Sequence, residues 1–76
     1  MTNEEFGLLV GCSESMASRL RSGSRRPGVD LRERIMKAFK FDQDLDTMKA
    51  FNEAASDAEL FGAYLREHVF LDVVPA

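Results

Sequence analysis

A chain of 76 residues, 45% apolar and 30% charged, is long enough for one small core and too ordinary in composition for disorder. One cysteine (Cys12) and one histidine (His68) exclude a disulfide framework and a metal site built from Cys and His, so no metal and no cofactor is expected. No apolar run approaches the ~20 residues that span a bilayer, and Met1-Thr2-Asn3-Glu4-Glu5 lacks the order of a signal peptide, so the reading is of a cytoplasmic protein without a membrane partner.

Helical periodicity covers most of the chain. Thr2-Asn3-Glu4-Glu5 has the form of a capping box and predicts a helix over 3–10 with Phe6, Leu9 and Val10 on one face. Gly11 can end it, and Ser13 is a good N-cap for a helix over 14–22 that buries Ala17 and Leu20 before Gly23 closes it. Ser24-Arg25-Arg26-Pro27-Gly28 reads as a loop. Asp30-Leu31-Arg32-Glu33 then repeats the cap pattern ahead of a helix over 31–40 with Leu31, Ile35, Ala38 and Phe39 inward. Leu45, Met48, Phe51 or Asn52, and Ala55 suit a helix over 44–55. Ser56-Asp57-Ala58-Glu59 opens another over 57–68, carrying Leu60, Phe61, Tyr64 and Leu65. The fold class is all-α, a compact bundle of about five short helices in one domain, 1–76. Only the tail from Val69 to Val74 is β-branched and aromatic enough to suggest a short strand before Pro75.

The net charge of −3 is unevenly distributed. Residues 1–41 carry +3 and residues 42–76 carry −6; between 19 and 40, eight basic side chains face two acids, a net of +6. Such a split points to a polyanion-binding half beside a half that repels polyanions. Phe6, Phe39, Phe51 and Phe61 at helical spacing read as core rather than as a base-stacking platform.

Two short helices joined by Gly11-Cys12-Ser13 make a helix-turn-helix, with Gly7 four residues before the turn glycine where the helices must cross closely. A recognition helix enters the major groove by its N-terminal residues, so the base readers are those pointing away from Ala17 and Leu20: Glu14, Ser15, Ser18 and Arg19. Arg19 suits guanine, Glu14 suits cytosine, and the serines suit either base edges or phosphate. Asn3, Ser13, Arg25 and Arg26 are the candidate phosphate contacts. Cys12 reads as a small buried hydrophobe, and no P-loop, dinucleotide turn or paired-carboxylate pocket is present, so an enzyme is not expected.

With Thr2-Asn3-Glu4-Glu5-Phe6-Gly7, Gly11-Cys12-Ser13, Ser15-Met16-Ala17-Ser18-Arg19-Leu20 and Gly23-Ser24-Arg25-Arg26-Pro27-Gly28 in register, residues 2–41 resemble the Cro/repressor helix-turn-helix family, the lambda-repressor-like fold. The resemblance implies a sequence-specific regulator of phage or prophage type that binds a double-stranded DNA operator, with no small-molecule ligand. Two departures go with it. The family places another helix before the one beginning at Thr2, so the helix over 57–68 is expected to cover that face. The family's usual glutamine is Asn3 here. Residues 42–76 match no pattern of the family, and a DNA-bending excisionase or an antitoxin-like interaction protein are the alternatives. A lone strand leaves unpaired backbone groups, so Val69, Phe70, Leu71 and Val73 are expected to pair with a second copy and form a homodimer; the rival reading folds these side chains back onto their own core.

Overall fold

The computed structural model describes residues 1–72, which form five α-helices and no strand: α1 (Asn3–Val10), α2 (Glu14–Ser22), α3 (Val29–Ala38), α4 (Leu45–Ala55) and α5 (Ala58–His68). Local chemistry sets the first two. The Thr2 hydroxyl accepts from the N–H of Glu5 at 3.1 Å while the Glu5 carboxylate accepts from the N–H of Thr2 at 3.0 Å, closing the capping box. Ser13 Oγ accepts from the N–H of Met16 at 3.0 Å and starts α2. Gly11 (φ 75°) and Gly23 (φ 83°) take the left-handed conformation that ends each helix.

Two starts differ from the sequence expectation. α3 begins at Val29 with Gly28 as its N-cap and no side-chain cap, because the chain is already extended at Gly28 (ψ 170°) behind the buried Pro27; Asp30 falls in the first turn, where its charge still favours the helix dipole. α5 is capped by Asp57, whose Oδ1 accepts from the N–H groups of Glu59 (2.8 Å) and Leu60 (3.1 Å). Ser56 instead ends α4, its hydroxyl donating to Glu53 O at 2.6 Å.

The helices pack in sequence of contact rather than of chain order. α1 lies against α2 and α3, α2 against α5, α5 against α4, and α4 against α3. Phe6, Val10, Ala17, Leu20, Leu31, Ile35, Phe51, Ala55, Phe61, Leu65, Val69 and Phe70 are buried in one cluster, with Phe39, Phe41 and Tyr64 packed on it. All six phenylalanines form one path of ring contacts: Phe70 to Phe6 (5.1 Å between centroids), Phe6 to Phe39 (5.7 Å), Phe39 to Phe41 (6.0 Å), Phe41 to Phe51 (5.4 Å) and Phe51 to Phe61 (5.6 Å). Periodicity overestimated the apolar faces at their edges: Leu9, Leu45 and Leu60 are exposed.

α5 covers the helix-turn-helix, but through α2, while α1 is covered by the rings of Phe39 and Phe70. The tail is not a strand over its described part. The N–H groups of Val69 and Phe70 bond to Leu65 O (2.9 and 2.8 Å) and that of Asp72 bonds to Arg66 O (2.8 Å), so the chain turns back on the end of α5 and leaves no ladder there to pair. Val69 and Phe70 are consequently buried in their own chain, Leu71 is exposed, and Val73 lies outside the described residues.

Candidate nucleic-acid interface

The turn between α1 and α2 is tight because Gly7 has no side chain. A Cβ there would stand 2.5 Å from the carbonyl oxygen of Cys12, inside van der Waals contact. The N–H groups of Gly11 and Cys12 both bond to Gly7 O (2.8 and 2.9 Å), and Arg34 on α3 braces the turn by donating from Nη1 to Gly11 O at 3.0 Å. Cys12 is half-buried here. Burial pushes its thiol up from the ordinary range, and the Arg34 charge only partly opposes that, so the group keeps its proton at neutral pH.

α2 buries Ala17 and Leu20 fully and leaves Glu14, Ser15, Ser18 and Arg19 exposed along the opposite side. None of these four side chains hydrogen-bonds to another group among the described residues, so each is free to meet an external partner. The structure thus brings together the four expected base readers on one outward stripe of one helix, at the spacing i, i+1, i+4, i+5 that a 3.6-residue repeat requires.

The expected phosphate contacts divide. Ser13 is spent as an acceptor by its cap, which leaves the hydroxyl proton to donate. Arg25 is exposed and makes no hydrogen bond among the described residues. Arg26 is exposed but donates from Nη1 to Ser56 O at 3.3 Å, across to the α4–α5 junction. Asn3 is half-buried and its Oδ1 accepts from Arg21 Nη1 at 3.1 Å.

Three features escaped sequence reasoning because their partners lie far along the chain. Arg66 Nη1 donates to Arg21 O at 2.5 Å and satisfies a carbonyl in the last turn of α2 that no helical N–H reaches. Gly62 lets α5 approach the end of α2: a Cβ at Gly62 would stand 2.6 Å from both N and Cα of Gly23. Arg21 donates from Nε (2.8 Å) and Nη2 (2.5 Å) to the two carboxylate oxygens of Asp72. The hydrogen bonds from Arg21, reinforced by its charge, hold the Asp72 carboxyl below the usual carboxylate range. No helix among the described residues is long and apolar enough to cross a membrane. Comparison with family models, curated proteins and solved structures finds no match for the chain.

Proposed function

We propose that the protein is a DNA-binding module that docks α2 in the major groove of double-stranded DNA. The observation that carries this reading is the unengaged stripe Glu14, Ser15, Ser18 and Arg19 on a short helix fixed at both ends, next to the exposed Arg25. More particularly, the register of residues 2–41 with the Cro/repressor pattern makes it a sequence-specific transcriptional regulator of phage or prophage type, working in a bacterial cytoplasm as a binding protein and not an enzyme. Burial that raises the Cys12 thiol argues against that residue as a nucleophile, which needs a lowered pKa. The proposal includes a homodimer, whose two recognition helices about 34 Å apart would read successive grooves on one face of the duplex. Val69 and Phe70 are not available as its seam, being buried in their own chain.

Selection of bound sequences from random duplexes tests the reading. Enrichment of a palindromic motif is expected, and no enrichment would overturn it. On the selected site Arg19→Ala should cost about 1–3 kcal/mol and relax one base position, while Arg25→Ala should weaken all duplexes alike and reduce the salt slope by roughly one. Equal loss on selected and random DNA for Arg19→Ala would remove it from the readers.

A further inference from the structure

Arg21 stands on α2 seven residues after Glu14 and three after Ser18, at the flank of the outward stripe. Its guanidinium lies over the Phe70 ring at 4.3 Å from the centroid, and Asn3 Oδ1 receives one Nη1 hydrogen. These two contacts orient the group without Asp72. The remaining Nε and Nη2 edge makes a two-point fork to the Asp72 carboxylate, the geometry with which arginine meets carboxylate or phosphate equally well. Side chains of both partners are about one-third open to solvent, at 29% for Arg21 and 32% for Asp72, so the pair is reachable from outside.

Asp72 is the removable member. It follows Leu71, which takes a left-handed conformation (φ 54°) that L side chains rarely adopt, and among the described residues its backbone is tied by a bond from its N–H to Arg66 O. Arg21, by contrast, belongs to a helix capped at both ends and packed on α1 and α5. An acid so placed offers Arg21 the negative charge and the paired oxygens that a backbone phosphate would offer.

We propose that Asp72 is an intramolecular stand-in for a DNA backbone phosphate at Arg21, so that the C-terminal segment competes with DNA for the flank of α2. The inference rests on the DNA-binding reading above. Displacing Asp72 exposes the Nε and Nη2 edge of the fork while Asn3 and the Phe70 ring still hold the guanidinium in place. The segment after α5 then sets the affinity for every duplex, whatever its sequence.

Full-length protein and its Asp72→Asn, Arg21→Gln and doubly substituted forms are titrated with a random-sequence duplex between 50 and 200 mM salt. Asp72→Asn should bind roughly three- to tenfold more tightly at 100 mM and show a steeper salt slope, because in the parent protein rising salt also loosens the Arg21–Asp72 pair that DNA must displace. In the Arg21→Gln background the same change should alter affinity by less than about twofold. An equal gain in both backgrounds would mean that only a general negative charge was removed, and would overturn the proposal. Unchanged affinity in Asp72→Asn, with the parent protein binding duplex, overturns it while leaving the DNA-binding reading intact; binding by none of the forms overturns both. Should Arg21→Gln fail to fold, the Arg21 Nε–H resonance of the unsubstituted protein decides. It should leave its Asp72-bound position, calibrated with Asp72→Asn, as duplex is added, and a resonance that stays while α2 amides shift rejects the competition.

Discussion

α1 and α2 are built from neighbours in the chain, while α5 and the segment after it act on residues far away. Thr2 with Glu5, Ser13 with Met16, and Gly7 with Cys12 each settle a turn within five positions, so the bounds of the helix-turn-helix are set locally even though helices this short draw their stability from packing. α5 contributes contacts of another kind. Arg66 reaches back 45 positions to Arg21, Asp72 reaches 51, and Gly62 meets Gly23 across a backbone-to-backbone approach. The first half is therefore specified locally and the second globally: the bounds of α2 come from its own caps, but its end is held by α5.

Removing a core ring should break the molecule at that division most sharply. Phe61 is fully buried on α5 with its ring 5.6 Å from that of Phe51, so Phe61→Ala should cost about 3–5 kcal/mol in chemical denaturation. Leu9 on α1 is 59% exposed, and Leu9→Ala should stay within about 0.5 kcal/mol. A large loss at Leu9 with a small one at Phe61 would reverse the roles assigned to the two halves. Next in size is Gly62→Ala. Its new methyl meets backbone atoms of Gly23 rather than a flexible side chain, so the helices must separate, at about 1–3 kcal/mol. Gly28→Ala, with no atom within 4 Å of its added Cβ, should cost less than ~1 kcal/mol.

Cap substitutions sharpen the comparison at smaller scale. Asp57→Ala should lower stability by about 1 kcal/mol and Ser56→Ala by less, because only Asp57 holds N–H groups of α5. The reverse order would restore Ser56 as the cap that the sequence suggested. That ambiguity shows where legibility ends. Ser56 and Asp57 are both good caps, and choosing between them depends on where α4 stops, which packing of Ala55 decides. The bounds of α1 and α2 and the outward stripe of α2 could be read because side-chain caps and left-handed glycines fix them residue by residue. The start of α3 could not, since Gly28 offers no side-chain signal and Asp30 offers a misleading one. The tail's burial was equally hidden: Val69 and Phe70 look like a strand by composition, yet the Leu65 carbonyl takes both of their N–H groups and Phe6 packs on the Phe70 ring. Arg21 counted as one basic charge among eight, although Asp72 occupies its fork.

The smallest expected effect is a dependence on acid that separates local caps from the long-range pair. Glu5, Asp44 and Asp72 all have carboxyls held below their ordinary range, Glu5 by its bonds to Thr2, Asp44 by those to Thr47, and Asp72 by those to Arg21. A pKa lowered on folding means that the unfolded chain takes up the proton first, so each group stabilises the fold fully above the unfolded carboxylate values of about 4. That contribution fades as pH falls through the lower folded value. Melting temperature should accordingly hold from pH 7 to about 5 and then decline. Asp44→Asn keeps a neutral N-cap and should lose little at pH 7, while making the decline below pH 4 shallower. Asp72→Asn should make it shallower too, and in the Arg21→Gln background that second change should disappear, whereas the Asp44 effect should persist. A decline equally steep in Asp44→Asn and the parent protein would show that the α4 cap does not contribute to the acid response.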